Sequence, residues 1–295
     1  MFVYGLLMAC LNVLISVKST EDTSGYNFNR PDTIIVLPDT LREISGITWL
    51  DSTTFACVQD ENGIVFFYDI EKKQIRSQST FYRNGDYEGI AHVGKAIYML
   101  RSDGVIFEIE DYTEKKLRVT KYATGIPAGN NEGLCYDADN DRLLIACKSS
   151  CGKGAALKDK RMIYGFDLKS KKLSDQPVFT FETADIKNFI QNRKPDTFTK
   201  IRRYGIFGTP LRFRPSEIAV HPLTKKIYLL SAVDHMLFIF DRTGTLEYAD
   251  QLDPLMFNKA EGITFLNNGD MIITNEAQKK KPTLIRINFN SDNKL

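Results

Sequence analysis

A glutamate recurs about every 44 residues along this chain, each time at the head of an apolar run that reads as a β-strand. The copies are Glu43-Ile44-Ser45-Gly46-Ile47, Glu88-Gly89-Ile90-Ala91, Glu132-Gly133-Leu134-Cys135, Glu217-Ile218-Ala219-Val220 and Glu261-Gly262-Ile263-Thr264. Their spacings are 45, 44, 85 and 44 residues, the longest being one unit that carries an added segment. A period of about 40 to 50 residues built from short strands is the mark of a β-propeller, whose four-stranded blades bury their faces on one another around a ring. The expected fold class is all-β.

Each unit divides into short runs of β-branched and aromatic residues broken by turn residues. In the first unit strands are expected at 46–50, 54–59, 64–70 and 75–81, separated by Asp-Ser, Glu-Asn-Gly and Lys-Lys. The fifth unit has only three, at 262–266, 271–274 and 283–289, while a lone strand at 33–37 precedes the first glutamate. That strand is expected to complete the C-terminal blade, closing a ring of five blades and leaving no open sheet edge at the junction. The propeller then spans 33–295, with insertions at 148–161 and 182–214, the second holding a short helix at 186–191. Following strand direction, the turns between second and third strands and the links between blades share the end that bears the glutamates. Both insertions fall there, and long loops in a compact fold are commonly functional.

The N-terminal stretch differs from the rest. Residues 1–17 are almost uninterruptedly apolar and precede a polar stretch, so 1–19 is expected to be a secretion signal or a membrane or lipid anchor, with 20–32 a linker. Leu7-Met8-Ala9-Cys10 reads as a lipoprotein processing box with Cys10 as the lipidation candidate; an ordinary cleaved signal or uncleaved anchor stands beside that reading. The expectation is an exported protein of the periplasm or a membrane-anchored one of the cell envelope, monomeric, touching the membrane through its N-terminus only. A net charge of +2 from 39 basic and 37 acidic residues offers no field for nucleic acid. Cys57 and Cys147 read as buried small hydrophobes; Cys147 and Cys151 leave open a local disulfide or a metal contact.

If the innermost strands start at the glutamates, then Glu43, Glu88, Glu132, Glu217 and Glu261 converge on the channel mouth. Two carboxylates about 5 Å apart at an effective dielectric near 20 repel by roughly 3 kcal/mol, so some must protonate or a cation must sit among them. Hard oxygen donors select Ca²⁺ or Mg²⁺, and Ca²⁺ is the expected ion, with Asn275 as the one amide at hand. Arg42, Arg83, Arg101 and Lys259 are the further candidates to neutralise the ring. The alternative is structural: each Glu accepts backbone N–H bonds from the neighbouring blade, and the glycine after it in three copies allows a close approach. His92 and His221 lie farther along their strands and are expected at the opposite end of the channel. His235 is the one histidine expected on the glutamate face.

Glu43-Ile44-Ser45-Gly46-Ile47, then Val58-Gln59-Asp60-Glu61-Asn62-Gly63, then Tyr87-Glu88-Gly89-Ile90-Ala91 resembles the bacterial SdiA-regulated family, itself distantly similar to NHL-repeat propellers. The resemblance spans residue 33 to the end and implies a five-bladed propeller on a membrane-proximal N-terminal segment, with a bound calcium ion. The two insertions depart from it. Two functions are weighed. One is a non-catalytic module that binds a ligand or an envelope protein on the glutamate-bearing face. The other is a calcium-dependent hydrolase of lactonase or phosphotriesterase type, with His235, Asp234 or Glu61 as base.

Overall fold

The computed structural model describes residues 24–152, 154–193 and 211–290; Cys10, the 1–19 segment and residues 194–210 of the second insertion lie outside the described residues. Five antiparallel sheets are arranged as a five-bladed propeller. Blade 1 is β2 (Ile44–Trp49), β3 (Thr54–Gln59), β4 (Ile64–Asp69) and β5 (Gln74–Thr80). Blade 2 is β6 (Tyr87–Val93), β7 (Ala96–Arg101), β8 (Val105–Ile109) and β9 (Val119–Ala123). Blade 3 has β10 (Asn131–Asp137), β11 (Arg142–Cys147) and β12 (Lys160–Asp167), with its outer position split between β13 (Lys172–Leu173) and β14 (Phe179–Glu182). Blade 4 is β15 (Glu217–Val220), β16 (Ile227–Ser231), β17 (Met236–Phe240) and β18 (Leu246–Gln251).

Blade 5 takes β19 (Ala260–Phe265), β20 (Met271–Asn275) and β21 (Thr283–Ile287) from the end of the chain and β1 (Thr33–Val36) from its beginning. β1 runs antiparallel to β21, Thr33 opposite Arg286 and Val36 opposite Thr283. The ring therefore closes as the lone first strand foretold.

The core lies between blades. Alternate residues of a strand point to opposite faces, so both faces of each blade must be apolar. On β3, Ala56 and Val58 pack with Ile90, Ile97 and Phe107 of blade 2. Phe55 and Cys57 of the same strand pack the other way, on Ile272 and Leu284 of blade 5. The same sharing joins blades 2 and 3, 3 and 4, and 4 and 5. Part of the expected linker also belongs to this core: Tyr26 and Phe28 are buried on blades 4 and 5. The Tyr26 hydroxyl donates to the carbonyl of Gly269, in the turn after β19, at the end of the channel away from the glutamates.

The second insertion begins with α1 (Thr183–Arg193), a longer helix than the expected 186–191, which buries Ile186 and Ile190 on blades 3 and 4. Its far end is stapled. Phe213 sits in the left-handed region (φ 45°) with its ring fully buried against Phe181 and Phe238. Asp234 holds that turn by accepting the N–H groups of Arg212 (3.0 Å) and Phe213 (2.9 Å) and the Ser231 hydroxyl (2.6 Å). Replacing Asp234 by Ala strips three acceptor contacts from a carboxylate, and urea unfolding is expected to show a loss of about 2 kcal/mol.

Candidate functional site

The channel mouth is built by β-bulges. On β6, β10 and β19 the register with the next strand slips at Glu88, Glu132 and Glu261, so each of these glutamates is the extra residue of a bulge. A bulge re-aims the side chain it carries. In blade 1 the same slip falls at Ser45, not Glu43. The glycine after each bulge lies against the next blade: a Cβ at Gly46, Gly89, Gly133 or Gly262 would come within 3.2 Å of Ile90, Leu134, Ile218 or Ile47 respectively. Glu217 precedes Ile218 and so occupies the glycine position of blade 4, with Ser216 at the bulge position. Ser45 and Ser216 make matching contacts, donating to the carbonyls of Tyr87 (2.6 Å) and Ala260 (2.9 Å) of the following blades.

Five equivalent glutamates are thus corrected to three, Glu88, Glu132 and Glu261, with Glu43 two residues ahead of the ring position and Glu217 one residue past it. The shift was invisible because Glu-Ile-Ser-Gly and Ser-Glu-Ile align with Glu-Gly-Ile as well as the true phase does.

Glu217 takes the structural role weighed from sequence. One carboxylate oxygen accepts the N–H of Leu134 in blade 3 (2.7 Å) and of its own neighbour Ile218 (3.0 Å). Both belong to innermost strands, whose inward edge has no further strand to pair with. Its other oxygen is buried without a partner, and burial holds the carboxyl well above the usual carboxylate range. Glu132 is 3% exposed and ion-paired to Lys148, yet one of its oxygens also lacks a partner. Lys259 lies 3.4 Å from Glu261 and is also paired to Glu276.

The charges feel one another across the axis. Burial first, then Glu132, Asp86 and Glu261, push the Glu88 carboxyl up to about 9. Burial and then Glu132 push Glu261 up to about 7, although the two belong to blades 5 and 3. Asp60, in the turn after β3, is pushed up to about 6 by burial and then by Glu43. Three of the expected neutralising cations are engaged elsewhere: Arg42 with Asp39 (3.6 Å), Arg101 with Asp103 (2.7 Å), and Arg83 over the Tyr82 ring. Only Lys259 serves the ring as expected. Lys148, which sequence reasoning missed, follows Cys147, and Cys147 pairs with Asn131 beside Glu132; the hairpin register was the signal that could have found it.

Asn275 is fully buried; its amide donates to Met256 O (3.2 Å) and the Thr283 hydroxyl (2.9 Å), and its carbonyl oxygen has no partner. His235 holds its Nδ1 against the Phe257 carbonyl at 2.9 Å, and Glu61 is exposed. Cys57, Cys135, Cys147 and Cys151 are buried free thiols. Among the described residues no three His, Cys, Asp or Glu side chains are set to hold one metal ion.

Below the carboxylates all five innermost strands line a cavity of about 240 Å³, with Ile47, Ile90, Leu134, Ala219 and Ile263 among its walls. His92 lies at this end, bonded to the carbonyls of Trp49 and Gly94. His221 is there too, packed among Tyr26, Tyr228, Phe265 and Phe289, and burial lowers it to about 4.

The fold and the closed ring define a β-propeller of five blades. No protein-family model matches the sequence, and no curated protein matches it. Among solved structures the chain is similar to the glutaminyl cyclase of Myxococcus xanthus, with a TM-score of 0.57 and 16% identity over 88% of this chain and 96% of that one. It is more loosely similar to the virginiamycin B lyase of Staphylococcus aureus, with a TM-score of 0.44 and 12% identity over 86% of this chain and 69% of that one. These likenesses concern the fold alone.

Proposed function

We propose that this propeller is a non-catalytic binding module whose glutamate-bearing mouth takes a cationic ligand. The observation that carries the reading is the pair of buried carboxylate oxygens, one on Glu132 and one on Glu217, that have no donor. A buried acceptor without a partner costs roughly 1–3 kcal/mol, and a cation or donor-rich group entering the mouth would recover that. The hydrolase alternative draws less support, because Asp234, one of its candidate bases, is already held by three donors in the turn around Phe213.

Calcium is the second reading. The donors are hard oxygens, the kind Ca²⁺ takes, and the orphaned oxygens of Glu132 and Glu217 favour it. Against it, Lys148 and Lys259 already lie on Glu132 and Glu261, and the described residues hold no ready cage. The expected setting is the cell envelope. Residues 24–28 rest on the far end of the channel, so attachment through the N-terminal segment would turn the mouth away from the bilayer.

The test is thermal melting of the purified protein against CaCl₂, MgCl₂ and organic cations. A ligand at about 100 times its dissociation constant should raise the melting temperature by about 5 °C. That rise should vanish in Glu88→Gln/Glu132→Gln. If no cation shifts the melt, the reading fails.

A further inference from the structure

The mouth is electrostatically lopsided. On the side of blades 3 and 5, each ring carboxylate is met by an ammonium group from the chain itself: Lys148 on Glu132, and Lys259 shared by Glu261 and Glu276. On the side of blades 1 and 2, Glu43, Asp60, Glu61, Asp86 and Glu88 carry no ion pair among the described residues. Backbone bonds draw these five into one arc. The Asp60 N–H donates to Glu43 O (3.3 Å), the Tyr87 N–H to Asp60 O (2.9 Å), and the Gly85 N–H to Glu61 O (3.1 Å), which sets Asp86 and Glu88 beside the turn after β3. Asp86 and Glu88 stand close enough that the Asp86 charge helps to push the Glu88 carboxyl upward.

An acidic arc alone would be a solvated surface. Here it borders buried oxygens that lack a partner: one of Asp60 at its centre, and one of Glu132, a residue 3% exposed whose charge is the first to act on Glu88, on the channel side. In the ionised form each of these oxygens is an acceptor, and a cation that enters the arc draws off the protons which burial and crowding hold on Asp60 and Glu88, so the group that completes the site is a cationic donor. A metal ion would need a convergent set of oxygen ligands, and the described residues offer none. An ammonium group needs acceptors about 2.7–2.9 Å away and tolerates looser geometry. The chain's own lysines show that this ring accepts one.

We propose that the arc of Glu43, Asp60, Glu61, Asp86 and Glu88 binds a ligand through a primary ammonium group, carried by an aliphatic amine or by a lysine of a peptide. This rests on the reading of the mouth as a cation-binding site and names its ligand class. Lys148 and Lys259 occupy the rest of the ring and restrict entry to the side of blades 1 and 2.

Calorimetric titration of the full chain tests it with butylammonium, spermidine, a tripeptide with a central lysine and blocked ends, tetramethylammonium and CaCl₂. Butylammonium should bind at least tenfold more tightly than tetramethylammonium, which carries the same charge without N–H donors. Asp60→Asn/Glu88→Gln should weaken butylammonium at least tenfold while its melting curve shows a folded protein. Either spermidine or the tripeptide exceeding butylammonium supports the proposal and identifies the source of the amine. Equal binding of tetramethylammonium, or an unaltered affinity in the double variant, overturns it. Binding of CaCl₂ with silence from every amine overturns the ammonium assignment and leaves the cation-binding mouth standing; silence from all five probes sinks both.

Discussion

Replacing Gly89 by Val should destabilise the propeller by roughly 3 kcal/mol. A Cβ at Gly89 would stand 2.7 Å from the Leu134 Cβ, 2.8 Å from Glu132 O and 3.0 Å from Leu134 N. Those are backbone and near-backbone atoms of blade 3, which cannot rotate aside as a side-chain tip can. The only relief is to part blades 2 and 3, and that opens the cluster in which Ala91 and Leu100 pack on Leu134, Leu143 and Ile145. Gly129 supplies the control, since a Cβ there meets nothing within 4 Å; Gly129→Ala should change stability by less than about 0.5 kcal/mol. Urea unfolding of the two variants checks the pair. Equal midpoints would mean that the inter-blade approach at Gly89 does not hold the ring together.

Glu88→Gln should make the protein more stable at alkaline pH and leave it unchanged at acid pH. The carboxyl of Glu88 rises from 4.5 to about 9 on folding, chiefly through burial. Below pH 4.5 the group is protonated in both states and contributes nothing. Between 4.5 and about 9 the folded state holds a proton that the unfolded state has released, so stability falls as pH climbs through that window. Glutamine has no proton to lose and escapes the penalty. Glu88 is half-buried, so solvent reduces the full effect, and the gain at pH 9 is expected to be roughly 3 kcal/mol. Removing its charge also relieves Glu261, which moves stability in the same direction. Melting temperatures of the two proteins from pH 4 to pH 9 should converge at the acid end and separate steadily above it. Parallel curves would mean that Glu88 is as well solvated in the mouth as in the unfolded chain.

Much of the architecture could be read from residue order. The three-stranded last unit and the unattached run at 33–37 implied the closure that β1 and β21 make. The glycine after each of three glutamates implied the close approach found at Gly89, Gly133 and Gly262. The site was less legible. Glu43 and Glu217 have the right letter in the wrong phase, because a bulge adds one residue without a compositional trace. Arg42 is nearer in sequence to Glu43, and Arg101 to Glu88, than Lys148 is to its partner Glu132, yet the two arginines found partners in Asp39 and Asp103 close by. A local carboxylate outcompetes one across a channel because holding it costs less side-chain entropy.

Taken by itself, the sequence determined what depends on spacing along the chain: five blades, apolar on both faces, with the polar turns and both insertions gathered at one end. Periodicity is a local property, and two-sided burial leaves few ways to use it. The tertiary structure alone decided which carboxylates meet, which of them lysines hold, and which are left without a donor. Those outcomes depend on bulges that re-aim single side chains and on ring closure that brings blade 3 opposite blade 5. They arise between residues that are distant in the chain and are written in no one segment of it.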